Sequence, residues 1–232
     1  MKTKPKFIYF DLDDTLLDHK SAEKKALGDI HEHFDCFNGS TSEELFEVYR
    51  KINSKQWKLY SEGKVDREQL QRNRFQLTLN ELGIGGNNYS EIGSQYMKFY
   101  RNHWEWITGA EAAFQSIRSK FNTGILTNGF SETQKAKFER FDLYSKVSHL
   151  VVSEDVGHLK PHPKIFEHAT DVTGLSPGEI LYIGDSYNSD VIGGTSFGWN
   201  VAWFTTNGTA EENQKADFVF DDFKDLSILL GV

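Results

Sequence analysis

The sequence of 232 residues predicts an α/β protein built on a doubly wound parallel sheet, with an α-helical domain inserted after the first strand. Short continuous apolar runs alternate with helical patterns along most of the chain, and this order is typical of right-handed βαβ units. More than eighty residues with a polar, helical pattern separate the first run from the second. We therefore expect a Rossmann-like core of residues 1–18 and 108–232 and a helical domain of residues 19–107.

Six apolar runs predict the strands of the sheet. Each is short and continuous, which indicates a strand that is buried on both faces, as in a parallel sheet. The last run is the weakest. In chain order the predicted strands are Lys6–Phe10, Thr123–Thr127, His149–Val152, Ile180–Ile183, Val201–Phe204 and Phe218–Phe220.

Helical patterns lie between most of these strands. The segment Ser131–Leu143 carries apolar residues among charges, and Ser131 is expected to cap its start. A second helix, Pro163–Val172, begins with a proline at a first-turn position. The segment Ser176–Glu179 has the spacing of a capping box, but a strand-like run follows it, so we expect a turn there.

The inserted segment has apolar residues at helical spacing and no convincing strand pattern. One such stripe comprises Leu45, Val48, Tyr49 and Ile52. We therefore expect a bundle of helices.

The composition limits the partners and the cell compartment. The chain has 34 acidic and 26 basic residues and a net charge of −8, so neither a nucleic acid nor an anionic membrane is the expected partner. The single cysteine, Cys36, excludes an intrachain disulfide. The run Phe7–Phe10 is too short for a signal peptide, and no run is long enough to cross a membrane. We expect a soluble cytoplasmic protein, either a monomer or a homodimer.

Acidic residues directly follow the first predicted strand. The segment Phe10–Asp18 contains four carboxylates, and Asp11 and Asp13 point the same way if the chain is extended. In doubly wound sheets, ligands bind beyond the carboxyl ends of the strands. Adjacent carboxylates there repel each other and need a proton, a lysine or a cation, and oxygen ligands favour Mg²⁺. The alternative is that the acids cap the next element, which suits Asp14 and Asp18 best.

Later segments also place polar groups beside predicted strand ends. Thr127 and Asn128 follow the second strand and could hold phosphate oxygens, although they also suit an ordinary turn. Lys160 lies in a Lys-Pro-His-Pro segment that we expect to be stiff and extended, because each proline disfavours helix in the residue before it. Asp185 and Asp190 follow the fourth strand as a candidate metal ligand and a supporting carboxylate, or as turn and capping residues.

In this order and spacing, these segments resemble the four motifs of the haloacid dehalogenase superfamily. The residues that carry the resemblance are Asp11-x-Asp13-x-Thr15, Thr127, Lys160–Pro161 and Gly184–Asp185-x4-Asp190. The match spans nearly the whole chain, and the insert resembles the helical C1-type cap of that superfamily. Three further segments are most similar to the pyrimidine 5′-nucleotidase branch: Trp57-x2-Tyr60-x2-Gly63, Arg72-x-Arg74–Phe75 and Val152–Pro161.

The resemblance implies a phosphate-ester hydrolase with a covalent intermediate. Asp11 would attack phosphorus, and Asp13 would protonate the leaving group and then activate water. Mg²⁺ would be held by Asp11, the backbone carbonyl of Asp13, and Asp185.

The resemblance also assigns the remaining polar residues. Thr127, Asn128 and Lys160 would stabilise the phosphate oxygens. Asp190 would orient Lys160 or a metal-bound water, and Thr15 would support the metal ligands from outside.

The expected substrate is a small phosphorylated metabolite, foremost a nucleoside 5′-monophosphate. A sugar phosphate or phosphoglycolate is the alternative, and the cap would close over the site and select among them. Trp57, Tyr60 and Arg74 are the main cap candidates for contact with the leaving group, followed by Gln56, Arg72 and Phe75. The alternative for each is packing in the core of the cap or a solvated surface position. A 2-haloacid dehalogenase is less favoured, because such enzymes lack the acid at the position of Asp13. A phospho-accepting switch is the non-enzymatic alternative.

Overall fold

The computed structural model describes residues 4–86, 88–207 and 215–232. The chain forms two compact units. One comprises the residues up to Asp18 together with Trp106 and everything after it, and the other comprises His19–Glu105. We call them the core unit and the helical unit.

The core unit is built on a parallel sheet of six strands in the order β3-β2-β1-β4-β5-β6. The strands are β1 Phe7–Phe10, β2 Asn122–Thr127, β3 His149–Val152, β4 Ile180–Gly184, β5 Asn200–Phe204 and β6 Phe218–Phe220. Each predicted strand is present and differs from its expected bounds by at most one residue. The predicted doubly wound α/β fold is therefore confirmed.

The helices of the described residues belong to both units. In the helical unit they are α1 His19–His33, α2 Ser42–Ser61, α3 Arg67–Glu81 and α4 Tyr89–Asn102. In the core unit they are α5 Ala110–Arg118, α6 Ser131–Arg140, α7 Ser153–Val156, α8 Pro163–Asp171, α9 Gly193–Phe197 and α10 Phe223–Leu230. A single π-helical turn, Tyr187–Ile192, leads into α9.

Both faces of the sheet are buried, and β1 shows why its sequence is apolar without a break. Ile8 and Phe10 face one core cluster, which includes Phe114 of α5. Tyr9 faces a second cluster, which includes Phe166 of α8. Because side chains alternate across a strand, a central strand covered on both faces needs an apolar residue at every position.

Register aligns the carboxyl ends of the central strands. Phe10, the last residue of β1, pairs with Ile125 of β2 and with Ile183 of β4. The residues that follow β1, β2 and β4 therefore emerge at one edge of the sheet, where doubly wound folds bind their ligands.

The start of α6 corrects one expectation. Ser131 does not cap this helix, since Phe130 holds the capping position without a side-chain hydrogen bond. Ser131 is instead the first helical residue, and its N–H donates to a Glu154 carboxylate oxygen at 2.7 Å. An acid from α7 thus satisfies a free helical N–H that a capping side chain would otherwise satisfy.

The end of α6 and the predicted turn before β4 also have clear local causes. The helix ends at Arg140, before the expected Leu143, because Asp142 takes up a left-handed conformation with φ of 52°. Ser176 and Glu179 form both bonds of a capping box around the short 3₁₀ turn Pro177–Glu179. The prediction of a turn at this point is confirmed.

The helical unit contains no strand within its described residues. Capping boxes begin α2, where Thr41 pairs with Glu44, and α3, where Asp66 pairs with Gln69. The residues that pack between the helices include several aromatic rings, such as Tyr49 on α2. In the described part of the chain, no helix combines the length and the apolar character that a membrane span requires.

Candidate active site

Asp11 and Lys160 form an ion pair at the carboxyl edge of the sheet. Asp11 is the first residue after β1, and its N–H donates to the Ile183 carbonyl at 2.8 Å. This bond extends the β1–β4 ladder by one residue and fixes the backbone of Asp11. Its carboxylate lies 2.9 Å from the ammonium of Lys160, which is 3% exposed.

The ammonium of Lys160 has three partners. It lies 2.9 Å from Asp11, 2.8 Å from Asp190 and 2.6 Å from the Tyr182 hydroxyl. The Tyr182 hydroxyl donates its own proton to the Leu126 carbonyl at 2.8 Å, so it accepts from Lys160. All three N–H donors of the ammonium are therefore directed at protein groups.

Burial and neighbouring charges set the pKa values at this site. Burial raises the pKa of Asp11 to about 7; Lys160 opposes the rise, whereas Asp190 and Asp13 add to it. Burial alone would lower the pKa of Lys160, but Asp11 and Asp190 outweigh it, so this pKa lies above its ordinary value. Burial also raises the pKa of Tyr182, which keeps the phenol neutral. Lys160 is thus a fixed positive charge beside a carboxylate.

Asp190 is fully buried and both of its oxygens are used. One accepts from Lys160 and the other accepts from the Ser186 N–H at 2.9 Å. A Cβ at Gly184 would collide with the Asp190 carboxylate, so the absence of a side chain there allows this close approach. The two oxygens of Asp190 thus bind Lys160 and the backbone of the loop after β4.

Three carboxylates converge near Lys160 in a way that suits a divalent cation. Asp11, Asp185 and Asp190 each offer an oxygen, and the three oxygens lie within 4.8 Å of one another. Since Asp190 is committed to Lys160, Asp11 and Asp185 fit best as ligands. Thr15 donates to Asp185 at 3.4 Å, and Trp203 donates to the Asp185 carbonyl at 2.8 Å.

The charges of the site also favour a divalent cation. The two lysines that contact its acids, Lys160 and Lys137, balance half of the charge on Asp11, Asp13, Asp185 and Asp190. Oxygen donors and a net negative charge are what Mg²⁺ prefers in proteins. The residues present therefore fit this metal.

Asp13 lies beside two residues that the sequence analysis missed. Lys137, on α6, donates to one Asp13 oxygen at 2.6 Å, and Gln134 donates to the other at 3.0 Å. Both side chains are 2% exposed. The sequence carried no signal for either residue, because Lys137 lies between Ala136 and Phe138 among charged residues, as a lysine on any amphipathic helix can.

Thr127 and Asn128 lie beside the same groups. The Thr127 hydroxyl is buried and accepts from Gln134 at 3.2 Å. The side chain of Asn128 accepts from the Lys160 N–H at 2.8 Å and donates to the Lys160 carbonyl at 3.0 Å. Asn128 therefore positions the Lys160 backbone, which the sequence did not suggest; phosphate contact by Thr127 and Asn128 stays a prediction.

The segment around Lys160 is a turn, so the expectation of an extended conformation is wrong. The His162 N–H donates to the Leu159 carbonyl at 2.8 Å, and the Lys160–Pro161 peptide bond is cis. Proline does exclude helix here, but the side chain of Asn128 holds both backbone groups of Lys160 and stabilises a bend.

The predicted specificity residues of the helical unit do not form one cluster of contacts. Trp57 and Tyr60 pack edge to face on α2 with ring centroids 5.7 Å apart. Arg74 on α3 is buried and lines a cavity of about 360 Å³ between α3 and α4. All the residues that line this cavity belong to the helical unit. The carboxylates that surround Lys160 lie instead at the edge of the sheet in the core unit.

Known proteins resemble the chain over most of its length. Residues 8–204 match the family model described as haloacid dehalogenase-like hydrolase (HAD). The HAD-hydrolase YfnB of Bacillus subtilis (strain 168) is 30% identical over 197 residues, which are 84% of this chain and 82% of that protein. The crystal structure of YfnB bound to magnesium superposes with a TM-score of 0.87 at 27% identity, covering 99% of this chain and 100% of that one.

Two further relatives are phosphate-ester hydrolases by name. The pyrimidine 5′-nucleotidase YjjG of Escherichia coli (strain K12) is 29% identical over 202 residues, which are 87% of this chain and 86% of that protein. The glyceraldehyde 3-phosphate phosphatase of Pyrococcus furiosus is 26% identical over 231 residues, which are 95% of this chain and 91% of that protein.

Proposed function

The chain belongs to the haloacid dehalogenase-like hydrolase family, and from this premise we propose that it is a Mg²⁺-dependent phosphatase acting on nucleoside 5′-monophosphates. The observation that carries the proposal is the Asp11 carboxylate, fixed at the end of β1 and paired with the buried Lys160. A carboxylate held in this way is a nucleophile with an adjacent positive charge that can stabilise a phosphoryl group.

In the first half of the reaction, an oxygen of Asp11 attacks phosphorus. A bond forms between that oxygen and phosphorus, and the bond between phosphorus and the ester oxygen breaks. The ester oxygen takes the electron pair and a proton from the Asp13 carboxyl group, so the leaving group departs as a neutral alcohol.

In the second half, water attacks the phosphorus of the aspartyl-phosphate. Asp13, now a carboxylate, takes a proton from the water, and the bond between phosphorus and Asp11 breaks. Asp11 is restored as a carboxylate, Asp13 is restored as an acid, and the net change is ester plus water to alcohol plus phosphate.

The groups around Asp11 stabilise the negative charge of the phosphate and take no part in making or breaking bonds. Lys160 places its positive charge beside the attacking oxygen, and Asp190 and Tyr182 keep it there. Asp11 and Asp185 would hold Mg²⁺, which when bound supplies positive charge for the phosphate oxygens. The contact of the Thr127 hydroxyl with one of those oxygens stays a prediction.

The choice of nucleotides is supported by similarity to the pyrimidine 5′-nucleotidase YjjG over 87% of this chain. A sugar phosphate is the second candidate, supported by similarity to the glyceraldehyde 3-phosphate phosphatase. Asp13 favours phosphate-ester hydrolysis over halide removal. An alkoxide leaving group needs a proton, which the protonated Asp13 can donate, whereas a halide ion leaves without one. The assignment of Trp57, Tyr60 and Arg74 to substrate choice stays a prediction.

A phosphate-release screen tests the proposal. The purified protein is offered nucleoside 5′-monophosphates, sugar phosphates and phosphoglycolate, each with Mg²⁺ and with EDTA, and Asp11→Asn serves as the background control. We expect the highest kcat/KM for a nucleoside monophosphate, only with Mg²⁺. A clear preference for a sugar phosphate would move the assignment to the second candidate, and no phosphate release from any monoester would refute the proposal.

A further inference from the structure

The Asp13 carboxylate is held at both oxygens by α6. Lys137 donates to Oδ1 at 2.6 Å and Gln134 donates to Oδ2 at 3.0 Å. The two residues are three apart in sequence, so they lie one above the other on the same helix face. A carboxylate that is bound at each oxygen from a fixed helix has one orientation.

The burial of these residues separates their roles. The Lys137 side chain is 2% exposed, whereas the Asp13 side chain is 23% exposed. Gln134 is as buried as Lys137. The Asp13 side chain is therefore accessible from solvent, whereas those of Lys137 and Gln134 are enclosed by protein.

The contacts around Gln134 fix the position of its side chain next to Asp13. The Gln134 amide nitrogen also lies 3.2 Å from the Thr127 hydroxyl and 2.9 Å from the Asn128 carbonyl, so its two N–H bonds are shared among three acceptors, of which Asp13 is one. It occupies the space that a Cβ of Gly129 would need, and Gly129 has φ of 150°. A buried lysine costs free energy unless it is paired, and the Asp13 carboxylate is the partner that compensates the burial of Lys137.

We propose that Lys137 and Gln134 are positioning residues, which hold the Asp13 carboxyl group in the orientation from which it serves the leaving group. This inference rests on the proposed function, because it refers to the proton that passes from Asp13 to the ester oxygen. General acid catalysis depends on hydrogen-bond geometry, so loss of that orientation slows the reaction most where the leaving group most needs a proton.

Lys137→Met is the most informative change, since it keeps the length of the side chain and removes the charge and the hydrogen bond. We expect kcat/KM for a nucleoside monophosphate, an alkyl ester, to fall by about 10- to 100-fold. For p-nitrophenyl phosphate, whose leaving group needs little help, we expect a fall of less than about threefold. The ratio of the two values does not depend on the fraction of folded enzyme, so a merely destabilised variant would leave it unchanged.

Lys135→Met is the matched control. Lys135 lies on the same helix and pairs with Asp155 at 3.1 Å on an exposed surface. Its replacement by Met removes the same charge as Lys137→Met does. We expect the wild-type substrate ratio for this variant. Lys137→Arg restores a charged donor and should recover most of the ratio; if Lys137→Met does not fold, Lys137→Gln takes its place.

A double-mutant cycle decides whether Lys137 acts through Asp13. In an Asp13→Asn background, Lys137→Met should have no further effect on either substrate, because the group it positions is gone. Additive losses in the double variant, or an equal loss for both substrates in Lys137→Met, would overturn the inference. An inactive wild-type enzyme would instead refute the proposed function, so the two failures are distinguishable.

Discussion

The core unit and the helical unit each bury a cation, and the surroundings of the two cations differ. Lys160 in the core unit contacts two carboxylates and a tyrosine hydroxyl at 2.6–2.9 Å. Arg74 in the helical unit makes no ion pair with any described residue; it lies over two aromatic rings at 5.5 Å and donates to a methionine sulfur at 3.7 Å. Lys160 is thus compensated by carboxylates, whereas Arg74 packs against aromatic rings.

The two environments differ in how far the sequence determines them. In a parallel sheet, polar residues that follow separate strands are brought to one edge by the topology alone. In a helical bundle, the neighbours of a buried polar residue depend on the rotation and register of each helix.

Asp11→Asn should abolish phosphatase activity in the core while leaving the fold intact. An amide cannot form the aspartyl-phosphate, yet it has nearly the shape of the carboxylate and can still accept a bond from Lys160. We expect phosphate release to fall by more than about 10³-fold and the thermal midpoint to change by only a few degrees. Activity close to that of the wild type would disprove the nucleophile assignment.

Lys160→Met should impair both activity and stability. It leaves Asp11 and Asp190 buried without their cation, and breaking a buried pair in this way costs about 3–5 kcal/mol. Urea unfolding measures this loss, and the phosphate-release assay should show a fall of more than about 100-fold. A variant as stable as the wild type would show that the buried acids are neutral in the folded protein.

The affinity for Mg²⁺ should weaken as the pH falls below about 7. Burial raises the pKa of Asp11 to about 7, so below this pH the carboxyl group is protonated and the cation must displace the proton. We expect the affinity to fall by about tenfold per pH unit on the acidic side and to level off on the alkaline side. Calorimetric titration with MgCl₂ measures it; equal affinities at about pH 6 and pH 8 would contradict a role for Asp11 as a ligand.

Arg74→Met should have the smallest effect, on stability. The loss of the contacts with Phe75 and Tyr96 is worth about 0.5–2 kcal/mol, and removal of a buried charge offsets part of it. We expect the free energy of unfolding to change by less than about 2 kcal/mol. A loss as large as that of Lys160→Met would mean that the two buried cations are equivalent, and the comparison would fail.

Much of the core could be predicted from the sequence because its signals are local. Continuous apolar runs located the six strands of the described residues, and the acids after β1 and β4 lie at one edge of the sheet, as their place after parallel strands predicts. Lys160 was a candidate because prolines stiffen its segment and because of its spacing to the other motifs. Its bent conformation could not be foreseen, because it depends on Asn128, a residue distant in sequence.

The partners of Asp13 illustrate what a single sequence does not reveal. Lys137 lies between charged and apolar residues in an ordinary amphipathic helix, and nothing nearby marks it as buried. Its contact with Asp13 joins residues 124 positions apart. The surroundings of Arg74 could not be predicted from the sequence either, because they depend on how α3 packs against α4.

If a phosphoryl group passes through Asp11, mass spectrometry of the quenched enzyme should detect it on that residue. Asp13→Asn should accumulate the intermediate with p-nitrophenyl phosphate, because water activation is slowed more than release of this good leaving group. After acid quench and proteolysis, we expect a single phosphorylated peptide with the phosphoryl group on Asp11, absent from the Asp11→Asn variant. Turnover with no covalent phosphate, or with the phosphoryl group on another residue, would contradict the account.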